Sequence, residues 1–353
     1  MIKAISTAAI ALAIAACGGA FFFWIHAPLP WTLGALTAAG LAAVISGRWL
    51  LPMQARVVVR PVIGVVAGSA FTAELMAAIV HWWSAILIVM VYAVVILFVG
   101  FVFLQKKARF DPTTAFFASA PGGLGELSLI GGSLGADMRR LVVVHATRVV
   151  FVVFTIPFAL QLLLGEPIGR TVPTAAAATT LSGLDWIVLA GCAFVGYVIS
   201  RFVRFSGGPM IFPLILSMAV HVSGITDAAP PPWLVAIVQV VLGAVVGARF
   251  AGIKWDEARG FASVAVVWAI VTVSASALFA LFGTWLLGFP FETMLLALAP
   301  AGFVEMTLIT YAIGGDVAFV VTCQLCRVLF VLIMTPVFFR LLGITPAAAN
   351  RSG

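Results

Sequence analysis

Long apolar runs separated by short polar breaks fill almost the whole chain. Runs of about 20 residues, enough to cross ~30 Å of hydrocarbon, lie near 4–24, 30–47, 57–77, 82–104 and 140–163. They recur near 184–203, 207–224, 232–250, 262–287 and 317–339, so the pattern predicts ten membrane-spanning helices, five in each half. One segment per half falls outside this scheme. Pro112 to Gly135 and Phe291 to Gly314 are apolar, but Pro-Gly-Gly and Pro-Ala-Gly break them, and each carries a glutamate.

The two exceptional segments are copies of one another. Ala120-Pro121-x-Gly123-x-x-Glu126-x-x-Leu129-Ile130 recurs 179 residues later as Ala299-Pro300-x-Gly302-x-x-Glu305-x-x-Leu308-Ile309. In the same register Asp137 answers Asp316, Arg148 answers Arg327 and Pro157 answers Pro336. Upstream, Gly64-x-x-x-Gly68 answers Gly243-x-x-x-Gly247. Gly and Ala matches come easily in so apolar a chain, so the weight rests on the Glu, Asp, Arg and Pro matches. The chain reads as two membrane repeats, 1–174 and 180–353, joined by an Ala/Thr-rich linker.

With 63% hydrophobic and 9% charged residues and a mean hydropathy of +1.22, the chain lies far from ordinary globular composition. The formal charge of +7 does not imply a nucleic-acid partner, because the basic residues form no patch with interleaved aromatics. Membrane topology accounts for them. If each Pro-Gly segment dips into the membrane and returns, and the N-terminus is cytoplasmic, sixteen Lys and Arg face the cytoplasm, against Arg170 alone outside. If each segment crosses instead, Arg139, Arg140, Lys254 and Arg259 move outside. Cytoplasmic loops are rich in Lys and Arg, so the expected fold is an all-α polytopic membrane protein. It has two inverted repeats, each with five transmembrane helices and one re-entrant loop. Ile14-Ala15-Ala16-Cys17 resembles a lipoprotein cleavage box, but the segment has a counterpart at 184–203 and reads as the first transmembrane helix.

Re-entrant backbone is tolerable at membrane depth only where protein or a water-filled cavity satisfies it, and transporters bind substrate at such places. The candidate substrate or ion site is therefore Gly122, Gly123, Glu126 and Arg148 from one half with Gly302, Glu305 and Arg327 from the other. Glu126 and Glu305 are candidate proton or sodium sites, with a structural ion pair to Arg148 or Arg327 as the alternative. The arginines offer a fork for an anion, or for the acid of their own repeat. Asp137 and Asp316 sit where an N-cap belongs. The Gly-x-x-x-Gly faces suit close helix packing, within a protomer or in a homodimer.

Among the cysteines, Cys323 and Cys326 form a lone CxxC without a second pair, and no histidine cluster is visible, so no metal or other cofactor is expected. A coupling ion, H⁺ or Na⁺, is. Of the histidines, only His145 lies in a span near the candidate site.

The paired Pro-Gly-Gly-x-x-Glu, Gly-x-Asp and Arg pattern resembles that of the AbrB duplication family of bacterial membrane proteins, over nearly the whole chain. That family shares only a name with the small DNA-binding transition-state regulators. The resemblance implies two copies of one hydrophobic unit; roles attributed to members include regulation of gene expression and ammonia monooxygenation. The layout is also similar to that of citrate and glutamate symporters with GGxG loop tips. Gly122-Gly123-Leu124-Gly125 fits that tip, whereas Ala301-Gly302-Phe303-Val304 keeps one glycine. The expected function is secondary transport of a small anionic organic solute across the bacterial inner membrane, without enzymatic chemistry. The alternative is a membrane-bound regulator acting through a partner. A monooxygenase is disfavoured by the absence of a metal-ligand cluster.

Overall fold

The computed structural model describes residues 2–47, 55–122, 124–165, 168–169, 181–203, 207–248 and 255–344. The described residues contain helices and connections and no strand. The first half contains α1 (Ile2–Trp24), α2 (Pro30–Ser46), α3 (Ala55–Gly68), α4 (Ala73–Ala78), α5 (Trp83–Ala108), α6 (Pro112–Ser119), α7 (Leu124–Ser133) and α8 (Met138–Leu164). The second contains α9 (Gly183–Phe202), α10 (Gly208–Val222), α11 (Pro232–Gly247), α12 (Trp255–Leu287), α13 (Phe291–Leu298), α14 (Phe303–Ala312) and α15 (Val317–Leu341). Helices α6, α7 and α8 start at 112, 124 and 138, and α13, α14 and α15 at 291, 303 and 317, the offset of 179 read in the sequence.

Among the described residues, six helical segments are long and apolar enough to cross a membrane: Thr7–Trp24, Ile79–Ala108, Met138–Leu164, Gly183–Phe202, Ser263–Leu287 and Val317–Leu341. Their large apolar side chains point outward without cost, as with Leu162 and Trp285, because the surrounding solvent is lipid. This is an all-α polytopic membrane protein. Helices α2, α3, α10 and α11 are apolar but shorter, at 14–17 residues. The span expected at 57–77 is broken, since α3 stops at Gly68 and a new helix, α4, starts after Thr72. The cause is local. Thr72 takes an extended conformation and its side chain accepts the Leu75 N–H at 3.3 Å, an N-cap that restarts the helix.

The chain forms two compact units, and each draws on both sequence repeats. One comprises Met1–Val80, Phe154–Ile253 and Thr307–Ala318; the other comprises His81–Val153, Lys254–Met306 and Phe319–Gly353. In the first unit the Gly-x-x-x-Gly faces join the repeats. Gly64 and Gly68 of α3 lie on Met210, Leu214 and Ser217 of α10, and a methyl group at Gly68 would sit 2.6 Å from Ser217 Cβ. Gly243 and Gly247 of α11 lie on Thr32, Leu36 and Gly40 of α2 in the same manner. Small residues let backbones approach this closely, which is how helices associate without a hydrophobic driving force between them. Helix α1 packs on α2 through Gly18 and Gly19, the latter against the Trp31 ring.

The second unit is built around α5 and α12, counterparts in the duplication. Ile88 lies by Gly283, Tyr92 by Ser276 and Gly100 by Trp268, so residue numbers rise along one helix as they fall along the other. The two counterparts run antiparallel. Beside them, Phe116, Phe117, Ala120 and Leu127 of the first Pro-Gly segment pack with Leu141 of α8 and with Val331 and Phe339 of α15.

Candidate functional site

Helices α6 and α7 have 8 and 10 residues, about 12 and 15 Å at 1.5 Å per residue, so neither alone spans a bilayer. Together they form a hairpin. Asp111 caps α6 by accepting the Thr114 N–H at 2.9 Å, and the chain turns at Ala120 to Gly122. On its return the Asp137 N–H donates to Thr114 Oγ1 at 2.7 Å, back at the level where α6 began. Gly131 of α7 faces Phe117 of α6 so closely that a methyl group would lie 2.9 Å from the ring. The second segment also closes on itself, since the Phe289 and Phe319 rings before α13 and within α15 lie 4.7 Å apart.

A helix that stops inside protein leaves its last carbonyls without partners. The following long helix supplies donors in both repeats. Arg148, on α8 and 2% exposed, donates from Nη1 to the Ala120 carbonyl at 3.1 Å and from Nη2 toward the Gly122 carbonyl at 3.5 Å. Arg327, on α15 and 1% exposed, donates from Nη1 to the Leu298 and Ala299 carbonyls at 3.0 and 2.8 Å. Each cation thus meets the negative end of a short helix, where the macrodipole favours it. One turn earlier a second donor adds to the clamp. His145 Nε2 bonds the Phe117 carbonyl at 3.1 Å, and Gln324 Nε2 donates to the Leu296 carbonyl at 2.7 Å.

The two clamps lie close together within this unit. Gly122 at the first tip packs against Val331, one turn beyond Arg327 on α15. Tyr92 of α5 is fully buried, shares a 2.8 Å hydrogen bond with Ser276 of α12, and lies within electrostatic range of both arginines.

The remaining candidates distribute as follows. Glu305 is 4% exposed in the first turn of α14, and its carboxylate covers Gly302 so tightly that a side chain at 302 would displace it. Glu126 occupies the corresponding turn of α7, but its side chain, like Gly123, lies outside the described residues. Asp137 accepts the Arg139 and Arg140 N–H groups at 3.0 and 3.2 Å and pairs with Arg140 Nε at 3.2 Å, capping α8. Asp316 is exposed just before α15. The Gly-x-x-x-Gly faces belong to the other unit and pack helices there. Most of the linker around 165–185 is outside the described residues.

A family model described as "Transition state regulatory protein AbrB" matches residues 31–343. The chain belongs to the AbrB family. Both hairpins and both clamps fall inside the AbrB match. The chain is similar to "Uncharacterized protein YhjN" of Bacillus subtilis (strain 168), with 28% identity over 359 residues covering 94% of this chain and 92% of the relative. It is also similar to "Putative regulator AbrB" of Escherichia coli (strain K12), with 21% identity over 325 residues covering 91% and 92%.

Three polar elements of this AbrB-family site were not singled out from sequence: Gln324, the Tyr92–Ser276 pair, and the bonding of His145 to α6. A signal for one was present. Gln324 stands 179 residues after His145, and the two bond equivalent carbonyls, those of Phe117 and Leu296.

Proposed function

We propose that this AbrB-family membrane protein is a secondary transporter of a small anionic organic solute coupled to H⁺ or Na⁺, with its site at the two hairpin tips. The observation that carries this is the pair of hairpin tips in one compact unit, each clamped by a buried arginine. Broken helices inside a membrane protein are tolerated where they line a cavity. The N-termini of α7 and α14, beside the tips, favour negative charge. Two buried guanidinium groups in the same unit favour it further. The antiparallel run of α5 against α12 supports inverted repeats, the arrangement in which one hairpin enters from each side of the membrane. The lysine and arginine distribution supports a cytoplasmic N-terminus.

Flux of radiolabelled mono- and dicarboxylates into proteoliposomes tests this. Wild type should move at least one acid, and Arg148→Ala, which removes the clamp and the cation together, should abolish that flux; equal flux in the variant would sink the reading. The printed name of the Escherichia coli relative motivates a second one, a membrane-bound regulator. Exposed Lys106 and Lys107 at the end of α5 could dock its partner. A deletion strain would separate the two: transcript changes without altered accumulation of any acid favour regulation.

A further inference from the structure

The two clamps differ chemically at one place. Gln324 uses both ends of its amide: Nε2 donates to the Leu296 carbonyl and Oε1 accepts from Arg327 Nη2. His145 holds the equivalent position over the Phe117 carbonyl. A carbonyl only accepts, so Nε2 of His145 carries the hydrogen, which leaves the Nδ1 lone pair in the neutral ring. That Nδ1 is buried and has no hydrogen-bond partner among the described residues, and the side chain is 0% exposed. Resting on the transport reading above, we propose that His145 is the binding site of the coupling proton, taken up at Nδ1 when the first hairpin leaves its clamp.

The physical reason is linkage. With the hairpin clamped, a proton on Nδ1 would create a buried donor facing no acceptor, and a cation one turn from Arg148 on the same helix. The clamped form therefore excludes the proton. Once the hairpin moves away, water reaches the ring and Nδ1 can bind a proton. The proton leaves from the same atom when the clamp closes again. A second positive charge beside Arg148 also favours an arriving anion, so proton and anion enter together. The charged groups on the surrounding elements are few. Helix α6 contributes no titratable residue beyond its cap Asp111; α5 carries Tyr92, with Lys106 and Lys107 in its last turn, and α15 carries Cys323, Cys326 and Arg327, with Arg340 in its last turn. Helix α7 carries Glu126 in its sequence, and this glutamate and Glu305 of α14 are the rival acceptors. The second hairpin has glutamine in the equivalent place and stays insensitive to pH there.

Hydrogen–deuterium exchange of the purified protein in nanodiscs, on either side of the pH 5–8 window in which histidine changes charge and corrected for intrinsic exchange, tests this without a substrate. Peptides from 112–135 should exchange several-fold faster at the acid end, and peptides from 291–314 should not respond. His145→Gln should remove the response, Glu126→Gln should keep it, and Gln324→His should transfer it to the second hairpin with the first clamp intact. No acid response in wild type, its persistence in His145→Gln, or its loss in Glu126→Gln would overturn the proposal. Proteoliposome flux separates the two readings. Acid flux that stays proton-driven in His145→Gln leaves transport standing and the proton site refuted. The exchange pattern without flux of any acid refutes transport alone.

Discussion

Arg148 and Arg327 are held almost wholly out of solvent, where a charge survives only if its hydrogen-bonding needs are met. Their Nη groups donate to backbone carbonyls at the ends of α6 and α13 and, for Arg327, to the Gln324 amide oxygen, while Nε of each has no hydrogen-bond partner among the described residues. Arg327→Ala should therefore strand two carbonyls and the Gln324 amide oxygen, and cost about 2–4 kcal/mol, read as a lower melting temperature of the purified protein. Arg148→Lys keeps the charge but loses the fork that reaches two carbonyls, so it should fold and lose flux. A flux-competent Arg148→Lys variant would show that the fork is unnecessary. Gly302 has a tighter requirement. Gly302→Ala pushes the Glu305 carboxylate out of its place, and the expected result is loss of flux with little change in melting temperature. If Gly302→Ala transports normally, Glu305 is not needed where it sits.

Among the elements, the helix crossings of the first unit depend on absent side chains. Gly68 faces backbone and Cβ atoms of α10 that cannot move aside, so Gly68→Leu should overpack that crossing and cost about 1–3 kcal/mol. Gly191 of α9 is the control, because nothing lies within 4 Å of a methyl group placed there. Gly191→Ala should raise the melting temperature, by a gain of up to about 1 kcal/mol in helix propensity. Both effects are read by thermal unfolding in one detergent. Pattern alone could not separate these glycines, since an apolar helix shows no polar face to tell its packed side from its lipid side.

On the scale of the whole molecule, the question is which side of the membrane each hairpin faces. Asp137 and Asp316 are exposed, hold equivalent places after the two hairpins, and stand 179 residues apart. In a variant lacking the native cysteines, Asp316→Cys should react with a membrane-impermeant maleimide on intact cells and Asp137→Cys only after permeabilisation. Labelling of both from the same side would exclude inverted repeats. The compact units also show that the repeats are not the units of packing, because α3 embraces α10 and α11 embraces α2 across the duplication.

Much of this was legible in the residues themselves. Duplication, the broken segments and the candidate acids and arginines could be read because Glu, Asp, Arg and Pro are scarce in this chain, and because a Pro-Gly break acts locally on helix continuity. The end of α3 is hidden in the pattern because the Thr72 cap is a weaker signal than the apolar run around it. Tertiary structure alone decided what the buried cations bond, which glycines are packed, and that His145 and Gln324 close equivalent clamps. Each depends on which helix face meets which carbonyl, and sequence spacing in an all-apolar helix does not specify that meeting.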